Sequence, residues 1–278
     1  MKLLTPLPSD RSFEQIKNHY LVEKTIAERL KKSNRKERTI ILSTMYDELF
    51  SKVPDHPRLK RRNDENATLQ ANKSKSSIVR RYLSESVVFL EFASGDCKFA
   101  FEVAEKVKYY YGVDISDQRN PTDDIPDNFK LIIYDGNNLE QLENNSIDIV
   151  FSDQLIEHLH EEDTRLHFEI VQRLLKRGGK YAFRTPHSFN GPSDVSRYFS
   201  NEPEGFHLKE WTYVEIRRML MELKYSGFHA FWNAKGLNFR MPDYYFEFLE
   251  LFLGKIHKRY LRRFAKYLIP SLSGVAIK

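Results

Sequence analysis

The stretch EFASGDC, residues 91–97, places two acids, one glycine and the single cysteine of the chain in one short turn. Gly95 permits close backbone approach and a left-handed conformation, and Ala93 is the next smallest choice beside it. Neither GxxxxGK[ST] nor a complete GxGxxG is present, and Glu91 and Asp96 would repel a diphosphate. The turn suits a cationic nucleoside ligand that lacks phosphates. Asp114 and Ile115 follow in GVDIS, Asp135 and Gly136 in YDGNNL, and Asp153, Gln154 and Leu155 in SIDIVFSDQL. An acid about 20 residues beyond such a turn, at a strand end, can accept hydrogen bonds from ribose hydroxyls. His158 and Glu157 in QLIEHLH and His187 in RTPH are placed where a general base would stand, and histidine titrates nearest physiological pH.

The elements that must position these residues alternate in type. VVFLEF, YYYGVDIS, FKLIIYDG, SIDIVFSD and KYAFRTP read as strands, with helices between them over 97–107 and 164–176; RGG (177–179) stops the second of these. That order predicts a doubly wound, mostly parallel α/β sheet of seven strands with right-handed crossovers. A helix over 209–223, a strand GFHAFWN and a last strand SGVAIK complete it. Ligands of such sheets bind at the carboxyl ends of the strands.

Two helices are expected over 12–52, then a polar connection over 53–77 and a short helix to Leu83. The predicted division is a helical appendage over 1–83 and a sheet domain over 84–278, with a helical insertion at about 234–270. The loop HSFNGPSDVSRYFSNEPEGFH (187–207) is long enough to be a lid, with Asp194, Arg197 and Tyr198 as candidate polar contacts.

A chain of 278 residues, 41% hydrophobic and 30% charged, can bury a core and remain soluble. One cysteine excludes an intramolecular disulfide and a cysteine metal site. No stretch approaches the length of a membrane span, and the amino terminus lacks the apolar centre of a signal peptide, so a cytoplasmic location is expected. The charge of +5 is concentrated in runs such as KKSNRKER and KIHKRYLRRFAK, which suit solvated faces or an anionic surface.

In this order and spacing, over residues 86–232, the motifs resemble the class I S-adenosylmethionine-dependent methyltransferase family, of the type 11/23-like kind. The family's acidic residue and spaced glycines stand here as Glu91, Ala93, Gly95 and Cys97, so two of three glycine positions are replaced. The resemblance implies S-adenosylmethionine as cofactor, with Asp114 and Ile115 at the ribose, Asp135 and Gly136 near the adenine, and Asp153 to Leu155 at the end of the fourth strand. Each acid could instead be a plain turn residue, and His158 could simply pack near the cofactor. Cys97 reads as a packed residue. No metal is expected, because His158, His160, Glu161 and Glu162 would point different ways on a helix.

The loop and the stretch VPDHPRL are similar to methyltransferases of sugar or cell-surface glycan pathways, which implies O-methylation of a small molecule or saccharide. RNA methylation is the alternative; SDQL replaces an NPPY-type motif, and no RNA-binding motif is attached, so a nucleic-acid partner is not expected. A non-catalytic module with an eroded cofactor loop is a third reading. Over 244–268, Tyr245, Phe248, Leu249, Phe252, Ile256, Tyr260 and Phe264 form one helical stripe. That stripe packs on its own domain or makes a peripheral membrane contact.

Overall fold

The computed structural model describes residues 1–278 except Asn63, Asp135, Asn137, Asn138, Lys235, Gly236 and His257, and the side chains of Lys60, Arg61, Arg62, Lys258 and Arg259 are left aside. The chain opens with four helices, α1 (Phe13–Lys32), α2 (Arg35–Lys52), α3 (Pro57–Arg62) and α4 (Glu65–Val79). The alternating part then runs β1 (Val88–Phe92), α5 (Lys98–Ala104), β2 (Tyr109–Asp114), β3 (Phe129–Ile133), β4 (Ile147–Asp153), α6 (Glu161–Leu174) and β5 (Leu175–Thr185). It closes with α7 (Tyr213–Glu222), β6 (Gly227–Ala234), β7 (Leu237–Arg240), α8 (Tyr245–Leu253), α9 (Lys258–Leu268) and β8 (Leu272–Ile277).

The strands form one sheet in the order β3-β2-β1-β4-β5-β8-β6-β7. The first five pair in parallel, and β8, β6 and β7 are antiparallel. Among the described residues eight strands stand where seven were expected; the added one, β7, pairs antiparallel with β6. Runs such as VFLEF make buried parallel strands because both faces are covered. Successive residues point to opposite faces, so Leu90 and Phe92 join one core cluster and Phe89 joins the other.

Local signals fix the helix starts. Ser12 with Gln15, Asn34 with Glu37, and Thr212 with Glu215 form capping boxes at α1, α2 and α7. Three acids, Glu161, Glu162 and Asp163, sit in the first turn of α6, where the helix dipole favours them.

Three sequence expectations are corrected. The glycines of RGG do not stop α6; it ends at Leu174, and the RGG residues bend the first half of β5, with Gly178 at φ +75°. Residues 53–77 are not a mere connection, since α4 occupies most of them. The single helix over 244–268 is two helices. Phe246 and Leu253 are buried there, while Phe248, Phe252, Tyr260 and Phe264 remain exposed.

Candidate cofactor and acceptor site

The first and second strands end side by side, and the loop between them is tied across the gap. The Gly95 N–H donates to Asp114 Oδ2 at 2.8 Å, and Ile115 N–H donates to Asp114 Oδ1 at 2.8 Å. Ser116 N–H and the Gln118 amide also donate to Oδ1. One lone pair of Oδ2 is left for a further donor.

The loop itself keeps a glycine-type backbone although two of its three glycine positions are replaced. Ala93, Gly95 and Cys97 all lie in the left-handed region, at φ 58°, 58° and 61°. Gln154, at the end of β4, has φ 57°. Such conformations cost a non-glycine residue about 1 kcal/mol or more and cluster where function requires them. A Cβ added at Gly95 would meet nothing within 4 Å, so the space over it is open.

That space is a cavity of about 540 Å³ at the carboxyl ends of β1, β2 and β4. Ala93, Gly95, Asp114, Ile115, Gly136, Asp153, Gln154, Leu155 and His158 all line it. Asp135 lies outside the described residues. The opposite wall comes from the amino-terminal helices, through Leu42, Met45 and Tyr46 of α2, Arg58 of α3, and Thr68 and Lys75 of α4. These helices are pinned across the mouth: Arg38, 2% exposed, pairs with Asp163 at 2.6 Å and Glu162 at 2.8 Å on α6. On the other side Glu23 of α1 accepts from the Phe206 N–H.

Two expected site residues are placed elsewhere. Glu91 is buried beneath the loop and does not line the cavity; Tyr110 donates to it at 2.8 Å and Lys75 pairs with it at 3.0 Å. It thereby holds Lys75, which does reach the cavity wall. His187 is fully buried away from the cavity, its Nε2 2.7 Å from Glu250 and its Nδ1 accepting from the Phe189 N–H. That network packs α8 against the sheet and leaves His187 no access to an acceptor. Arg197 and Tyr198 are also off the cavity wall. The long loop is not a free lid, because Val195 packs against Ile16 and Tyr20 of α1.

His158 lines the cavity, and its Nδ1 faces the Phe206 carbonyl at 3.0 Å, so that nitrogen carries the proton and Nε2 is left as acceptor. Burial and the neighbouring charge of His207 hold its pKa down to about 3, so the ring is neutral. Behind it Glu157 is fully buried, and burial pushes its carboxyl up to about 7. His207 stands 5.0 Å away, ring to ring, and Glu210 binds its Nδ1 at 2.7 Å. Burial opposes charge on His207, but Glu210, Glu157 and Asp194 carry its pKa above the ordinary value.

Sequence reasoning missed Lys75, His207 as a neighbour of His158, and the ion pair of Asp153 with Arg184 at 2.7 Å. Lys75 sits in a polar helix without apolar periodicity, and His207 lies far from His158 in sequence. Only the alternation at Arg184, facing Asp153 on the adjacent strand, was legible in principle.

Residues 90–183 match the family model described as a methyltransferase domain. Three solved structures share the fold. One is described as the complex between the Haloferax volcanii Trm112 methyltransferase activator and a methyltransferase; it is 14% identical, covers 78% of this chain and 93% of that chain, and has a TM-score of 0.53. A SAM-dependent methyltransferase from Archaeoglobus fulgidus is 16% identical over 74% of this chain and 92% of its own, at TM-score 0.51. The 1,6-didemethyltoxoflavin-N1-methyltransferase of Burkholderia thailandensis, with its substrate and S-adenosylhomocysteine bound, is 12% identical over 88% and 91%, at 0.52. The search of curated proteins finds no match. Residues 90–183 thus match a methyltransferase domain, set in a fold shared with S-adenosylmethionine-dependent methyltransferases. A methyltransferase domain on this fold implies S-adenosylmethionine as cofactor.

The residues present fit that cofactor. The free lone pair of Asp114 can take a ribose hydroxyl, the open space over Gly95 admits close approach, and Lys75 offers a cation to a carboxylate.

Proposed function

We propose that the protein methylates a hydroxyl oxygen of a small molecule or saccharide, with the amino-terminal helices capping the acceptor. In this reading Ala93, Gly95, Asp114, Ile115, Asp135, Gly136, Asp153, Gln154 and Leu155 hold the cofactor, and residues 1–83 close the acceptor side. The observation that carries it is one cavity shared by both groups: the glycine-type loop at one wall, α2 to α4 at the other, and His158 between them.

Bound S-adenosylmethionine supplies a methyl group on a sulfonium, an electrophile with a good leaving group. The chain's own task is to hold an acceptor oxygen in line and keep water away. A cavity of about 540 Å³ has room for a cofactor with a small acceptor or one terminal unit of a larger one. On the acceptor wall, Arg58 lies over the Tyr46 ring at 4.7 Å. This pair suits a hydroxylated acceptor with a planar or anionic part.

The test is a methyl-transfer screen with labelled S-adenosylmethionine against monosaccharides, nucleotide sugars and phenols, beside transfer RNA. Label on a hydroxyl of a small acceptor supports the reading. Label on RNA alone would move the assignment to RNA methylation.

A further inference from the structure

Glu157 is fully buried, and among the described residues its Oε1 has no hydrogen-bond partner, while Oε2 accepts from the Thr185 hydroxyl at 2.8 Å. A buried carboxyl oxygen without a hydrogen bond is costly, and a bound cation would satisfy it. Two imidazoles adjoin it. His158 Nε2 is 4.0 Å from that Oε1, and each of Glu157, His158 and His207 offers a ligand atom within 4.8 Å of the others.

The outer contacts have the pattern of a ligand set. His158 gives its Nδ1 proton to the Phe206 carbonyl, and His207 binds Glu210 through Nδ1, so each ring turns its Nε2 away from these partners. Ligating histidines are commonly oriented through their second nitrogen by a carbonyl or carboxylate in this way. Ligand atoms about 2.0–2.2 Å from a metal stand roughly 3–3.5 Å apart, so atoms that lie within 4.8 Å of one another need to close by less than about 2 Å.

We infer that Glu157, His158 and His207 form a binding site for one divalent transition-metal cation, such as Zn²⁺ or Mn²⁺, at the wall of the acceptor cavity. Two imidazoles and one carboxylate leave coordination positions open. His158 borders the cavity, so an acceptor hydroxyl can serve as a further ligand; this role, unlike the site itself, rests on the O-methylation reading.

A second cluster, His19, Glu23 and His56, also brings ligand atoms together. It differs in being satisfied: Glu23 accepts from the Phe206 N–H and contacts His19 at 2.7 Å, and the Arg11 guanidinium stands 2.9 Å from His19 Nδ1. A cation at that position would face a fixed positive charge. This cluster is the internal control.

The experiment uses untagged full-length protein, stripped with chelator and titrated separately with ZnCl₂ and MnCl₂ by calorimetry, with metal content measured by mass spectrometry after gel filtration. One ion per chain is expected. Glu157→Gln and His207→Gln each weaken binding at least tenfold, while Glu23→Gln leaves it within threefold; circular dichroism verifies that each variant is folded. No binding by the wild type, or loss in Glu23→Gln with retention in Glu157→Gln, overturns the site. Binding of one metal with no transfer to any hydroxyl would instead sink the O-methylation reading and leave the metal site standing. Transfer that survives chelation unchanged would remove the metal from the acceptor's coordination.

Discussion

The Gly95 N–H donates to the Asp114 carboxylate at 2.8 Å, so the end of β2 fixes the loop that follows β1. A loop with two of three glycine positions replaced is held in its shape by an acid on the next strand. Asp114→Ala removes acceptors for Gly95, Ile115, Ser116 and Gln118 together. A hydrogen bond to a charged group contributes about 1.5–3 kcal/mol, so amide exchange over 93–97 should quicken at least tenfold. Unchanged exchange would mean that the loop is rigid without this tie.

Ala93 is exposed and sits at φ 58°. Ala93→Gly should raise stability by about 1 kcal/mol and leave S-adenosylhomocysteine affinity within threefold, whereas Ala93→Val should lose more than that in stability. Denaturant titration reads both. A destabilised glycine variant would show that the alanine methyl packs on something useful.

Lys75 and Glu91 meet at 3.0 Å with Glu91 1% exposed. Lys75→Met strands a buried carboxylate and should cost about 3–5 kcal/mol. Adding Glu91→Gln should recover a large share, because the stranded charge is gone. Additive losses in the double variant would contradict a coupled pair.

His167 is buried against Tyr181, and burial lowers its pKa to about 3. Its folded value lies below the unfolded one, so the neutral ring stabilises the fold fully above about pH 6.5 and progressively less as pH falls toward 3. Between pH 6.5 and 4 the loss is roughly 3 kcal/mol at about 1.4 kcal/mol per pH unit. His167→Gln should flatten the stability curve over that window by this amount. Parallel curves for the two proteins would refute it.

Phe248, Leu251, Phe252, Tyr260, Phe264 and Tyr267 are all more than half exposed on α8 and α9, beside Lys255, Arg262, Arg263 and Lys266. Among the described residues no helix is long and apolar enough to cross a membrane. Aromatic and basic side chains together fit an anionic lipid surface. Flotation should therefore rise with the fraction of anionic lipid and fall in Phe248→Ser/Phe264→Ser. Flotation insensitive to lipid charge would discard this contact.

The parallel core was legible because its strands are continuous apolar runs, which burial on both faces requires. The helices over 12–52 and 209–223 were legible from apolar spacing, and the capping pairs at Ser12, Asn34 and Thr212 are signals that this spacing did not use. Gly95 and Asp114, singled out in the sequence, both line the cavity at the strand ends. Helix α4 was not: ENATLQANKSKSSIV has no apolar period, and only its end, Ser77 to Val79, is buried. Lys75 was lost with it. His187 misled because a histidine at a strand end looks the same whether it faces a cavity or Glu250. Glu157 and His207 come together only through the path of the 187–212 segment, which no local pattern encodes. The single stripe over 244–268 failed at Gly254, where the chain leaves α8 and the period breaks.

The most direct test is calorimetric titration of the wild type and Asp114→Ala with S-adenosylhomocysteine. The account predicts one site per chain with micromolar affinity, weakened at least tenfold in the variant. A folded wild type that takes up no S-adenosylhomocysteine, or a variant that binds as tightly, would contradict it.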